Sequence, residues 1–368
     1  MNIIFNTKDL INKIKNIAPT AEAKQTLAIL GNMKVVVSTS EAVFTASDLE
    51  IEVSTTVKCV SDQEGSFTIP AKKMLEICNA LSAHSEIKLS VTGSKADLTA
   101  GKSKVSLQIL PVTDYPIMDH STNGNVMSIP NDELFNIMNK TSFAMAYQDA
   151  RHFLNGLHLC NSNGQLISVC TDGHRLAKYT STITCDTDIS IIIPRKCVLE
   201  INRILGGNND NSEMLTELHV NKNSITLKIN DYILISKLIE GNYPNFNKVI
   251  PDSTKSTLII EKSILKNSLN IISKVVNQQY KGVKLTPTKD SLHLISSNTE
   301  TEVGEDQIDA SYDGEELSIG FNISYIQDVI DTLTSENIHV CINDQNSGCV
   351  LLGDSEPTSV FVIMPMRV

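Results

Sequence analysis

The sequence predicts an α+β chain built from three domains of like fold. Three observations carry that expectation. A strand–helix unit recurs, the opening helices keep one register, and the stretches between them alternate apolar and polar residues. The unit first reads Phe67-Thr-Ile-Pro-Ala-Lys-Lys-Met-Leu-Glu-Ile-Cys-Asn-Ala-Leu81. It returns as Ile191-Ile-Ile-Pro-Arg-Lys-Cys-Val-Leu-Glu-Ile-Asn-Arg-Ile-Leu205, and again as Ile319-Gly-Phe-Asn-Ile-Ser-Tyr-Ile-Gln-Asp-Val-Ile-Asp-Thr-Leu333. Each copy is a short apolar strand, then Pro or Asn where a helix begins, then a helix. Proline suits the first turn because its missing N–H would have no partner there. Pro70 and Pro194 are 124 residues apart, and Asn322 follows 128 residues later.

The other elements keep this register. The opening helices carry apolar residues three or four apart: Leu10, Ile11, Ile14 and Ile17, then Leu134, Phe135 and Met138, then Ile264, Leu265, Leu269 and Ile272. That spacing gives each helix one stripe to bury. Ser47-Asp48, Thr171-Asp172 and Ser297-Asn298 each follow a β-rich stretch. Runs such as Lys34-Val-Val-Val-Ser and Ser224-Ile-Thr-Leu-Lys-Ile alternate and are β-branched, which predicts antiparallel strands. Tyr115-Pro116 and Tyr243-Pro244 close two copies, and Met364-Pro365-Met366 closes the third. Asn123-Gly124 and Pro251-Asp252 supply turn chemistry, so the expected domains are 1–124, 125–251 and 252–368.

A chain of 368 residues exceeds what one core fills. With no Trp and 5% aromatics, the cores must be aliphatic. No run of about 18 apolar residues exists to span a membrane, and Met1-Asn2-Ile3-Ile4-Phe5 lacks the features of a secretory signal, so a cytoplasmic location is expected. Eight cysteines without a Cys-x-x-Cys pair read as reduced packing residues. The net charge of −11 lies mostly in residues 252–368, which hold 17 acidic and 8 basic residues. A basic face elsewhere therefore stays available.

Such faces are expected on the helices: Lys8, Asn12 and Lys15; Arg195, Lys196 and Arg203; Lys262, Lys266, Asn270 and Lys274. Repeats joined head to tail either close into a ring or run on as a filament. A ring with basic helices inside would hold DNA through its phosphates without reading sequence. Two chemical readings compete. Cys170, His174 and Asp172 could form a hydrolase triad, but no oxyanion loop or nucleophile elbow accompanies them. Cys160, Cys170 and His174 match no common zinc spacing. The run Leu205-Gly-Gly-Asn-Asn-Asp210 lacks the Lys of a nucleotide loop, so no cofactor is expected.

Four stretches then point to one family. They are Arg151-His-Phe-Leu-Asn-Gly-Leu-His158, Thr171-Asp-Gly-His-Arg-Leu-Ala177, Ser236-Lys-Leu-Ile-Glu-Gly-Asn-Tyr-Pro-Asn-Phe246 with Val249-Ile-Pro251, and Val362-Ile-Met-Pro-Met-Arg-Val368. With Thr26–Asn32 and Gly320–Tyr325, they resemble the beta subunit of bacterial DNA polymerase III, the sliding clamps, along the whole chain. The resemblance implies a non-enzymatic head-to-tail homodimer, a six-domain ring with helices inside and antiparallel sheets outside. It further implies an ATP-driven loader and partners, the polymerase alpha subunit among them, that dock a short peptide in an apolar cleft.

By position, the resemblance assigns the cleft to Leu154, Thr171, Gly173, His174, Arg175, Leu176, Pro244, Val249, Val362, Ile363, Met364, Pro365, Met366 and Arg367. His174 and Arg175 would be polar anchors at its rim. DNA contacts fall on Lys24, Gln148, His152, Phe153 and Lys196. The dimer seam falls on Lys73, Val105 and Leu107 against Val275, Val276, Glu300, Glu302, Glu305 and Asp306. The chain departs from commoner family patterns at Ala28, Asn247-Lys248, Asn346, Gly348 and Val368. A peptide-binding scaffold ring without DNA retention would share all these features and stays open.

Overall fold

The computed structural model describes residues 1–21, 27–118, 124–206, 214–251, 253–277 and 279–367. The expectations placed on Lys24, Asn123, Asp252, Val368 and residues 207–210 lie outside these. The chain forms two compact units: Met1–Phe135 with Lys196–Leu238, and Asn136–Arg195 with Ile239–Val368.

Six helices stand among the described residues: α1 (Thr7–Ile17), α2 (Ala71–Ala80), α3 (Asn131–Ser142), α4 (Arg195–Gly206), α5 (Lys262–Ile272) and α6 (Ile323–Thr332). Each begins on the residue after a strand ends. The apolar period switches there from 2 to 3.6 with no loop between. Asn6 caps α1 by accepting from the Asp9 N–H at 3.1 Å, and Asn322 caps α6 by accepting from the Ser324 N–H at 3.0 Å. Pro70 and Pro194 sit one residue earlier than expected, as the last residues of their strands. Lys274 also differs, because α5 ends at Ile272 and Lys274 lies in the following turn.

The three repeats share one order: strand, helix, four strands, helix, three strands. Their pairings match. The first strands, Asn2–Asn6, Asn125–Pro130 and Ser256–Glu261, pair antiparallel with Glu86–Thr92, Leu215–Val220 and Asn337–Ile342. The strands that lead into the second helices pair with Asn32–Val37, Gly156–Ser162 and Gly282–Pro287. The register recurs as well, with Asn32 opposite Pro70, Gly156 opposite Pro194 and Gly282 opposite Asn322. In the third repeat the fourth strand is broken, Val303–Asp309 followed by Ser311–Tyr312.

The first unit holds a twelve-stranded sheet, and α1 and α2 pack together over it. Leu10, Ile14 and Ile17 of α1 are fully buried, each contributing about 2 kcal/mol. The second unit holds a nine-stranded and a four-stranded sheet, with α5 against α6. Both large sheets are continuous across repeats by one rule: the fourth strand of a repeat pairs with the last strand of the next. Ile51–Ser61 pairs with Tyr232–Lys237, and Arg175–Thr184 pairs with Glu356–Ile363.

The recurring Asp or Asn acts at one turn. Asp48 Oδ1 accepts from the Glu50 and Ile51 N–H groups at 2.9 and 2.8 Å. Asp172 Oδ1 accepts from His174 and Arg175 at 2.9 and 3.0 Å. Asn298 Oδ1 accepts from Glu300 and Glu302 at 2.9 and 3.0 Å. A short acceptor two residues before the bend fixes the same turn three times.

Candidate functional site

All residues assigned to the cleft belong to the second unit. The pairing of Arg175–Thr184 with Glu356–Ile363 sets Leu176 directly opposite Val362 and Arg175 opposite Ile363. Beyond the last strand the chain continues alongside, and the Met364 N–H donates to the His174 carbonyl at 2.8 Å. The Thr171–Arg175 turn and the C-terminal segment are thus bound edge to edge. Leu176 and Val362 are buried in an apolar cluster with Cys160, Ile167, Val169, Cys341 and Val350. Tyr243, Phe246, Ile250, Leu352 and Val360 pack against it, half-buried. Val249 and Met364 remain exposed at 45% and 37%. His174, Gly173, Pro244 and Arg367 are exposed, Thr171, Pro365 and Met366 half-buried, and Leu154 and Ile363 buried.

Gly173 has φ +90°, a left-handed conformation, and a Cβ there would lie 3.1 Å from the Arg151 guanidinium. Gly348 matters for close approach. A Cβ there would meet Val362 Cγ1 at 2.9 Å and Met364 Sδ at 3.0 Å. The missing side chain at Gly348 leaves room for Val362 and Met364 beside this loop.

Arg175 departs from the expected rim anchor. Its Nε donates to Asp172 Oδ2 at 3.0 Å, Nη2 donates to the Phe143 carbonyl at 2.6 Å, and Nη1 pairs with Asp328 of α6. The guanidinium also stacks 4.4 Å from the Tyr325 ring centroid. Its fork is used up internally, so it braces the turn that presents His174. Sequence reasoning missed an aromatic wall behind the cleft. The His158 ring stacks on Tyr243 at 4.6 Å and 10°, with Phe246 edge-on at 6.2 Å. Burial pushes the His158 imidazole down to about 4, so it is neutral at physiological pH.

The residues assigned to DNA are placed as follows. Gln148 and His152 are exposed and Phe153 is half-buried on one loop of the second unit. Asn155 stiffens that loop, accepting from the Asp149 N–H at 3.0 Å and donating to its carbonyl at 2.9 Å. Exposed Tyr147, beside the Arg195 guanidinium at 5.9 Å, joins this loop unforeseen. Lys196, in the first unit, pairs with buried Asp48 and is not a free cation. The expected basic faces are partly neutralised as well. Arg203 pairs with Glu200, Lys266 with Asp331 at 2.7 Å, and Lys262 donates to the Leu333 carbonyl. Lys8 and Lys15 are exposed on α1.

Of the seam residues, Lys73, Val105, Glu300, Glu302 and Glu305 are exposed, while Val275 and Asp306 are half-buried. Leu107 and Val276 are already buried within their own units and keep little surface for a partner.

Models of the DNA polymerase III beta subunit match the chain in sequence order: the N-terminal domain over residues 1–119, the central domain over 128–245 and the C-terminal domain over 247–367. The chain belongs to this family. The "Beta sliding clamp" of Proteus mirabilis is 32% identical over 375 residues and that of Escherichia coli K12 is 31% identical over 369, each covering 100% of both chains. Among solved structures, a sliding clamp from Bartonella birtlesii bound to griselimycin is 27% identical with a TM-score of 0.93. One from Pseudomonas aeruginosa bound to griselimycin is 30% identical with a TM-score of 0.90, and both comparisons span 100% of each chain.

Sliding clamps are non-catalytic processivity factors, and this clamp's Cys170–His174 run is built for structure. Burial pushes the Cys170 thiol up to about 12. Asp172 is occupied with backbone N–H groups and Arg175 rather than the His174 ring. Cys160 pairs with Ile167 on the face that carries Val169, so Cys170 points to the opposite face and the two thiols share no site. The clamp's described helices include none long and apolar enough to cross a membrane.

Proposed function

We propose that this clamp encircles duplex DNA as a head-to-tail homodimer and tethers the replicative polymerase and other DNA-processing proteins through the cleft around Leu176, Val362 and Met364. Its three domains would be residues 1–124, 125–251 and 252–368, and a cytoplasmic clamp loader would open it with ATP. The observation that carries this reading is the pairing rule between repeats. Applied once more, it joins the fourth strand of the third repeat, Val303–Asp309, to the last strand of the first repeat, Ser103–Gln108, in a second copy. Both strands are edges of their sheets. Among their charged residues the two strands expose Val303 at 57% and Val105 at 37%, an apolar contact for a partner edge. Their charges are complementary, with Glu305, Asp306 and Asp309 on one and Lys104, next to Lys102, on the other. Two such seams close a six-domain ring.

Retention on DNA tests the reading. Labelled protein is loaded onto nicked circular DNA by its cognate clamp loader with ATP, and the circle is then cut. Loss on cutting is expected, because a ring held by topology slides off an end. Equal retention on circle and line would show ordinary binding and refute encirclement. For the cleft, truncation after Val362 should abolish binding of partner peptides while dimerisation persists.

A further inference from the structure

We infer that Asp48 is a positioning residue that holds the Lys196 ammonium back from DNA phosphates and so loosens this clamp's grip on duplex. The inference rests on the encirclement reading above. Lys196 is the second residue of α4 in the second repeat, whereas Asp48 belongs to the Ser47-Asp48 turn of the first. Asp48 Oδ2 takes the Lys196 ammonium, which also donates to the Thr20 carbonyl at 3.5 Å. Asp48 Oδ1 is already engaged by the Glu50 and Ile51 N–H groups. The carboxylate is therefore fixed on its turn and cannot follow the lysine outward. The Asp48 side chain is 5% exposed and that of Lys196 half-buried, so the pair spans the boundary between core and solvent.

A second cation expected on the DNA side is paired differently. Lys266 of α5 meets Asp331, whose side chain is 60% exposed. An exposed pair of that kind is worth little and yields readily to a phosphate. A buried carboxylate stripped of its cation is left uncompensated, which costs several times as much. A phosphate must therefore outcompete Asp48 before it holds Lys196. With Lys196 turned inward, each subunit offers one phosphate contact fewer than its helix faces suggest. Affinity for duplex without regard to sequence scales with the number of phosphates neutralised, so this restraint favours sliding over sticking.

The test uses the full chain, wild type and Asp48→Asn, with a short blunt DNA duplex that threads the ring from its ends. Asparagine suits the turn, because Asn298 caps the equivalent turn of the third repeat through two N–H groups at 2.9 and 3.0 Å. Anisotropy of a labelled duplex reads affinity. Acetylation of individual lysines by a limiting N-hydroxysuccinimide ester, followed by mass spectrometry, reads where each ammonium lies. In the wild type, Lys196 should react more slowly than exposed Lys8, and duplex should leave its rate unchanged. In D48N it should react as fast as Lys8 and become protected by duplex. D48N should also bind duplex about three- to tenfold tighter, with a salt slope steeper by about 0.9 per subunit. Adding Lys196→Gln to D48N should return the affinity to the wild-type value. Three results would overturn the proposal: duplex protecting Lys196 in the wild type, D48N leaving reactivity and affinity unchanged, or tighter binding that survives K196Q. Asp48 would then be a turn cap alone. Protection of none of Lys8, Lys15 and Lys196 in either chain would refute encirclement itself, and the proposal with it.

Discussion

At the scale of single residues, the cleft depends on atoms that are absent as much as on those present. Gly348 gives Met364 room, and a methyl group there would sit 3.0 Å from its sulfur. Gly348→Ala should therefore tilt Met364 and weaken peptide binding by about tenfold, and should also cost about 1 kcal/mol of stability, because buried Val362, 2.9 Å from the new methyl group, must shift as well. Isothermal titration with a partner peptide, beside a melting curve, checks both halves. Arg175 teaches the opposite lesson. Its position beside His174 in the sequence gave no sign that Asp328, 153 residues away, would claim its guanidinium. Nor did Lys196 announce its pairing with Asp48, 148 residues earlier. Local periodicity marks which residues face a core, but an ion pair is settled by tertiary distance. The cleft's apolar members followed from the resemblance, whereas the braced arginine and the stack of His158 on Tyr243 required coordinates.

At the scale of elements, the repeated strand-to-helix junction was legible because Pro70, Pro194 and Asn322 mark the place where the apolar period changes. What the sequence concealed is how α3 is tied to the third repeat. Lys140 of α3 pairs with Glu356 at 2.6 Å and donates to the Thr332 carbonyl at 2.9 Å. Both side chains are about nine-tenths buried. Burial works to raise the Glu356 carboxyl, but hydrogen bonds from Lys140, the Thr334 hydroxyl and the Thr334 and Ser335 N–H groups outweigh it and hold it down at about 2. A depressed carboxyl stabilises the fold above its ordinary value and stops doing so as pH falls through the folded one. Stability should therefore drain away between about pH 4.5 and pH 2. Glu356→Gln should cost about 3 kcal/mol at neutral pH, by leaving Lys140 buried without a counter-ion, and should flatten that acid slope. Urea denaturation from pH 7 to pH 3 measures both effects.

At the scale of the whole molecule, the acidic third repeat has a purpose if its edge strand meets the lysine-bearing edge of another copy. Replacing Glu302, Glu305 and Asp306 together by Lys should shift the dimer toward monomer by at least tenfold in Kd. The variant Lys102→Glu with Lys104→Glu should restore assembly when mixed with it. Sedimentation velocity of each chain and of the mixture reads the outcome, and failure of the mixture to reassemble would move the seam elsewhere. The eight cysteines bear on how such a ring can be handled. All are buried, and burial pushes Cys78, Cys170, Cys197 and Cys349 up to about 12. The folded chain should consume well under one equivalent of Ellman's reagent at pH 7.5, and eight once unfolded. A cysteine installed at Val105 or Val303 would then be the fast-reacting thiol in the molecule. Dyes could be placed without stripping the native sulfurs, and a short bifunctional reagent could weld a seam shut to stop the ring from opening.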